Sequence, residues 1–159
     1  MIIRKAKLVD VAEIVKMWKE FINYHDHLLT GDNKHFFTRK KNAPDIFKKF
    51  IQKNIRSKNA MVYIAEINGK IAGYSLAIIR KNIPIHKIKK AGEIVDLFVK
   101  KEFRGLGISS KFKDEIIKWF KKKGIEEISL KVYPNNKPAY PIYKKWGFID
   151  YQIEMRKKI

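Results

Sequence analysis

The sequence predicts a three-layer α/β fold around a mixed central sheet. Three observations predict it. Strand-like and helix-like segments alternate along the chain, an Asn68-Gly69 turn joins two apolar runs as a hairpin that requires antiparallel pairing, and a strand-helix-strand unit across residues 93–133 suggests a parallel pair. At 159 residues, with 45% hydrophobic and 33% charged residues, the chain fits one domain over 1–159 with a single core and is too apolar for a disordered segment.

Residues 2–7 form a short β-branched run that reads as the first strand. Asp10-Val11-Ala12-Glu13 has the spacing of a capping box, so a helix should start at Asp10, with Val11, Ile14, Val15, Trp18 and Ile22 on its buried face. From Asn23 to Asn42 this pattern dissolves into a polar, aromatic and histidine-bearing excursion. Pro44 then opens a second helix that carries Ile46, Phe47, Phe50, Ile51 and Ile55. Met61–Ile67 and Lys70–Arg80 are the arms of the hairpin. After a basic connection containing Pro84, Glu93–Val99 is an almost unbroken apolar run that suits a central strand. A third helix should run from about Gly107 to Lys123, burying Phe112, Ile116, Trp119 and Phe120, with Gly124 just past its end. Glu127–Tyr133 reads as a strand, Pro138–Trp146 as a short helix and Tyr151–Arg156 as a last strand. The resulting order is β-α-α-β-β-β-α-β-α-β.

Composition narrows the chemistry. The absence of cysteine removes disulfide frameworks, thiolate zinc sites and a cysteine nucleophile together. No uncharged N-terminal run of signal-peptide length and no apolar stretch of about 18 residues is present, so a soluble, cytoplasmic chain without membrane contact is expected. Thirty-six basic against sixteen acidic residues give a formal net charge of +20, which attracts anions such as a phosphorylated ligand. The excess is mostly lysine in short scattered runs such as Lys48-Lys49 and Lys121-Lys122-Lys123, as a compositional bias produces. No arginine cluster or aromatic stacking motif marks a nucleic-acid reader.

Function concentrates where the central strand ends, in Val99-Lys100-Lys101-Glu102-Phe103-Arg104-Gly105-Leu106-Gly107-Ile108-Ser109-Ser110. Two glycines allow a tight turn into a helix whose first N–H groups and dipole favour anions, and they let phosphate oxygens approach the backbone. Arg104 adds a permanent charge, and the Ser109 and Ser110 hydroxyls can donate to the same oxygens. Neither a Walker lysine-serine ending nor the longer dinucleotide glycine pattern is present.

This segment resembles the motif of the GNAT N-acetyltransferase superfamily, an Arg or Gln followed by x-x-Gly-x-Gly/Ala after a central strand, with Arg104, Gly107 and Ser109 at those positions. Ser109 replaces the usual Gly or Ala. A second element, Asn136, Ala139, Tyr143 and Gly147-Phe148, is similar to the family pattern N-x-x-A-x-x-x-Y-x-x-x-G-F, and the element order matches over essentially the whole chain.

The resemblance implies direct acetyl transfer from acetyl-CoA to a primary amine of a small molecule or protein, with no covalent enzyme intermediate and no metal. It implies a mostly antiparallel sheet splayed between its fourth and fifth strands, so that pantetheine lies in the opening. Leu97, Phe98 and Val99 would then line the cofactor, with the Val99 amide polarising the thioester carbonyl. Arg104, Gly105, Leu106, Gly107, Ile108 and Ser109 would hold the pyrophosphate, and Asn136 and Tyr143 would complete the cofactor site. Tyr143 matches the tyrosine that protonates the departing thiolate. For the base, Glu93 six residues before Val99 and Asp96 are both candidates, with a water chain as a third. In a regular strand the two acids face opposite sides of the sheet, and a bulge would change that parity.

The acceptor pocket is expected from Asn23–Asn42 and Lys81–Gly92. Tyr24, Phe36 and Phe37 suit its walls, whereas His25, His27, His35, Asp26 and Asp32 keep no metal-ligand spacing. The family commonly forms homodimers. The competing reading is a non-catalytic module on the same fold that senses CoA or associates with RNA.

Overall fold

The Asn68-Gly69 turn sets the register of the sheet. In the computed structural model, which describes residues 1–29 and 31–159 and the side chains of all of these but 31–33, both residues take positive φ, 50° and 74°. That is the requirement of a two-residue turn matching the right-handed twist of its strands. Its arms are β2 (Ala60–Ile67) and β3 (Lys70–Lys81), and β4 (Lys90–Val99) continues antiparallel to β3. On the outer edge of β2 lies β1 (Ile2–Lys5), also antiparallel. The last strand, β5 (Ile128–Leu130), pairs parallel to β4, which gives the order β1-β2-β3-β4-β5.

Apolar stripes place the helices on both faces. Helix α1 (Val11–Leu28) and helix α2 (Ala43–Arg56) bury Ile14, Met17, Phe47 and Ile51 against Ile64, Tyr74 and Leu76. Helix α3 (Ile108–Lys122) covers the other face with Phe112, Ile116, Trp119 and Phe120 against Ala65, Ala72, Ala77 and Ile94. Each fully buried large apolar side chain contributes about 1.5–3 kcal/mol. A short helix, α4 (Tyr140–Lys145), follows β5.

Four expectations are corrected. Asp10 does not cap α1 as expected. It caps the turn in front of it, accepting from the Lys7 amide at 2.6 Å and from both terminal nitrogens of Arg4 at 2.9 Å, while Glu13 is drawn to Lys100 at 2.7 Å. The arginine hydrogen bonds hold Asp10 below the usual carboxylate range. Second, α1 runs on through His25 and His27, so the excursion before α2 is shorter than the polar sequence suggests. Third, the strand expected over Glu127–Tyr133 shrinks to three residues, and the short helix begins at Tyr140. Fourth, Tyr151–Arg156 forms no strand: Tyr151, Ile153 and Met155 are exposed, and the tail is held by ion pairs such as Lys131 with Glu154 and by the Arg156 guanidinium over the Phe36 ring. A six-residue strand needs an edge of matching length, and β5 ends at Leu130.

Candidate active site

The site begins where the sheet comes apart. Pairing of β4 with β5 covers Gly92 with Ile128, Glu93 with Ser129 and Ile94 with Leu130, so residues 95–99 of β4 lie beyond the β5 ladder. On its other side β4 stays paired with β3 through Val99 opposite Gly73. The Lys100 amide donates to Ala72 O at 2.9 Å, so every second residue back from Lys100 turns its backbone toward β3. By that alternation Phe98 spends its N–H and C=O on Tyr74, whereas Leu97 and Val99 turn theirs into the opening. Phe98 was expected to offer backbone groups there. It offers a buried ring instead, 6.0 Å from that of Phe21.

A bulge decides where the acids lie. Leu76 sits opposite Asp96 and Ala77 opposite Ile94, which leaves Val95 as the extra residue of β4. The parity shift brings Glu93 and Asp96 onto the same face, the one covered by α1 and α2, as their partners Ile78 and Leu76 show. They differ in setting. Glu93 lies in the zipped part of the strand and is ion-paired with Arg80. Asp96 lies in the open part, 8% exposed, and accepts a hydrogen bond from the hydroxyl of fully buried Tyr74 at 3.0 Å. Burial pushes Asp96 up to a pKa of about 6, with the Tyr74 hydrogen bond working against it. Tyr74 was not anticipated; a tyrosine among the apolar residues of β3 was the available signal.

Beyond Val99, a short turn at Lys101–Phe103 leads into Arg104-Gly105-Leu106-Gly107, where Gly105 and Gly107 take φ of 81° and 73°. A side chain at either position would be strained by the backbone, although a Cβ there meets nothing within 4 Å. The Lys111 amide closes the first turn of α3 on Gly107 O at 3.2 Å, so the amides of Ile108, Ser109 and Ser110 have no acceptor within the helix. Ile108 is buried and anchors the helix end, whereas Leu106 and Arg104 are exposed. Arg104 is braced rather than free: its Nε donates to Val99 O at 3.1 Å and its guanidinium lies 5.8 Å from the centre of the Tyr24 ring. This turn, the α3 terminus and the open backbone edge of β4 are contiguous and match an elongated ligand with an anionic end.

Across the opening, Asn136 is buried, and its Oδ1 accepts from the Tyr24 hydroxyl at 3.3 Å and the Ala139 amide at 3.4 Å. Tyr24 therefore spans the cleft from Arg104 to Asn136. Tyr143 packs its ring against Trp146 and Phe148, and burial pushes its phenol above the usual range, so it stays a proton donor at neutral pH. Of the histidine-rich stretch, His25 lies against Phe21 and Tyr133 and Asp26 pairs with Arg39, while the side chain of Asp32 is outside the described residues. No group of three or more potential metal ligands converges among the described residues, and no described helix is long and apolar enough to cross a membrane.

Residues 19–148 match the model of the acetyltransferase (GNAT) family. The chain is 27% identical over 158 residues to an N-alpha-acetyltransferase of Sulfurisphaera tokodaii, covering 95% of this chain and 81% of that protein. It is 31% identical over 141 residues to an uncharacterised N-acetyltransferase of Archaeoglobus fulgidus, covering 89% and 88%. Its fold superposes on a predicted acetyltransferase from Clostridium acetobutylicum crystallised with acetyl-CoA, with a TM-score of 0.78 at 21% identity over 99% of this chain and 95% of that one. With a family model matching most of its length and a relative above 30% identity covering both chains, the chain belongs to the GNAT family of acetyltransferases.

Proposed function

We propose that this enzyme transfers the acetyl group of acetyl-CoA directly to the N-terminal α-amine of a polypeptide. The observation that carries the cofactor half is the unpaired edge of β4 running into the α3 terminus. The backbone of Leu97 and Val99 serves the pantetheine arm, and Arg104 with the amides from Gly105 to Ser109 serves the pyrophosphate, whose charge suits a helix N-terminus. The α-amine as acceptor is supported by the similarity to the Sulfurisphaera tokodaii protein over nearly the whole chain.

The residues divide the proton work. Val99 N–H donates to the thioester oxygen as negative charge develops on it, a donor of the kind that contributes about 3–4 kcal/mol. Asp96, desolvated and tuned to about 6, accepts the proton of the attacking ammonium. Glu93 is the weaker candidate because Arg80 already holds its carboxylate. Tyr143 gives its proton to the departing thiolate. Calorimetric titration should show acetyl-CoA binding that weakens about tenfold or more in Arg104→Ala, the loss expected of a charge-assisted contact. Tyr143→Phe should lower kcat about 10²-fold or more at unchanged acetyl-CoA affinity. Absent binding by the folded wild type would end the reading, and full turnover by Tyr143→Phe would remove the tyrosine from it.

A further inference from the structure

One buried hydroxyl has no part in the chemistry above. Tyr74 of β3 is fully buried in the apolar cluster of Ile14, Met17 and Leu76 beneath α1 and α2, with its ring 6.4 Å from that of Phe98. Tyr74 is registered opposite Phe98 and Leu76 opposite Asp96, so Tyr74 and Asp96 are diagonal neighbours on one face, within reach of a long side chain. That reach is used: the Tyr74 hydroxyl donates to Asp96 Oδ2 at 3.0 Å, its one hydrogen bond among the described residues. The other carboxylate oxygen has a different setting. Oδ1 accepts no hydrogen bond among the described residues, yet it is not one of the buried atoms left without a partner, so the 8% of Asp96 that stays exposed includes it.

Stability does not explain this pair. Burying a hydroxyl with an ionisable carboxyl costs desolvation that one hydrogen bond barely offsets, whereas a phenylalanine would fill the same space and need no partner. Orientation does explain it. A carboxyl held by nothing turns about its Cβ–Cγ bond and exchanges its two oxygens, and a donor fixed by packing stops that exchange. We propose that Tyr74 is a positioning residue for proton transfer: its hydroxyl pins Asp96 through Oδ2, so that Oδ1 faces the opening and takes the proton of the acceptor amine. This rests on the reading of Asp96 as the base and names the group that holds it in place. Tyr74 remains a donor, because burial and the neighbouring carboxylate push its phenol well above the usual range. Donation favours the ionised form of Asp96, so losing it lets burial raise the carboxyl further. No unpaired charge shares that face among the described residues. On the sheet Glu93 is paired with Arg80, and Arg4 with Asp10 and Glu66. On α1 Glu13 is paired with Lys100 and Asp26 with Arg39, His25 lies against the Phe21 and Tyr133 rings, and the remaining charged residues of α1, with all those of α2, are exposed. The phenols of Tyr24 and Tyr143 border the opening.

The test is the pH profile of kcat/KM for a peptide with a free α-amine, measured in Tyr74→Phe, Asp96→Asn and the double variant. In Tyr74→Phe the limb expected near pH 6 in the wild type should move up by about one unit or more, the tenfold or larger change in proton affinity expected on losing a hydrogen bond to an ionised group. The acetyl-CoA dissociation constant should stay unchanged. A purely structural tyrosine would lower the melting temperature or scale the profile evenly without moving the limb. In Asp96→Asn the limb should vanish, and adding Tyr74→Phe should change nothing further. Carbon-13 NMR of the Asp96 carboxyl reads the same displacement with no acceptor present. Should Tyr74→Phe fold poorly, 3,5-difluorotyrosine installed at position 74 keeps the ring and makes the hydroxyl a stronger donor, which should move the limb to lower pH. A limb that stays in place in folded Tyr74→Phe or with the fluorinated residue, while Asp96→Asn abolishes it, would overturn the positioning role alone. A limb that persists in Asp96→Asn would overturn the base reading and the role of Tyr74 with it.

Discussion

Burial and a tyrosine hydroxyl pull the Asp96 carboxyl in opposite directions, and burial wins, leaving it at about 6. The sign of its effect on stability follows. An aspartate whose folded pKa lies above its unfolded value binds more protons when folded, so it costs stability as pH rises from about 4 through about 6. A gap of about two units corresponds to roughly 3 kcal/mol lost at neutral pH. Asp96→Asn keeps an acceptor for Tyr74 and abolishes that cost, so its melting temperature at pH 8 should exceed that of the wild type by several degrees. Its turnover should fall about 10²-fold or more, and wild-type kcat/KM should climb with pH through an apparent pKa near 6. Wild-type turnover in Asp96→Asn would assign the proton to Glu93 or to water. Arg104, Gly107, Asn136 and Tyr143 stand in linear motifs, so the sequence alone nominates them. The choice between Glu93 and Asp96 is not readable there, because a bulge at Val95 sets which way an acid points, and nothing in the apolar run marks it.

Strand β4 carries the site because its two edges have different fates, zipped to β3 throughout and to β5 only as far as Ile94. Gly73 guards the zipped edge beside Val99. A Cβ there would lie 2.5 Å from Phe98 O and 3.2 Å from Val99 Cα, both backbone atoms, so only a shift of the strands could admit it. Gly73→Ala should therefore cost about 1–3 kcal/mol, the usual range for overpacking, and weaken acetyl-CoA binding by moving the edge that meets the cofactor. Calorimetry reads both effects, and an unchanged dissociation constant in a destabilised variant would detach this edge from cofactor binding. Elements with their own punctuation were the readable ones: the Asn68-Gly69 hairpin, α2 behind Pro44, and α3 between Gly107 and Gly124. The C-terminal segment shows the limit. Ile149, Tyr151, Ile153 and Met155 alternate as a strand should, yet pairing is decided by the partner, and the three residues of β5 provide too little edge.

At the scale of the whole molecule, an excess of twenty positive charges acts on stability and binding with opposite signs. Self-repulsion destabilises the folded chain, because folding brings the lysines closer together than they lie in the unfolded state. Ion pairs such as Lys131 with Glu154 and Lys144 with Asp150 are exposed on both sides and of small worth, so they offset little of this, unlike the Arg4 link to buried Asp10. The same field draws an anionic cofactor toward the α3 terminus. Raising ionic strength from about 0.1 M to about 1 M shortens the screening length from about 10 Å to about 3 Å. Repulsion summed over many distant lysines should be lost almost entirely, so the melting temperature of the free protein should rise. Acetyl-CoA affinity should fall over the same range, since attraction from lysines beyond the contact shell is screened while the hydrogen bonds of the turn persist. Scanning calorimetry with and without acetyl-CoA across a salt series reads both trends, and the gap between the two melting curves should narrow as salt increases. A free protein that loses stability with salt would show that the Arg4–Asp10–Glu66 and Lys100–Glu13 pairs outweigh the repulsion. The excess charge would then be a tolerated composition of the surface rather than a force on the fold.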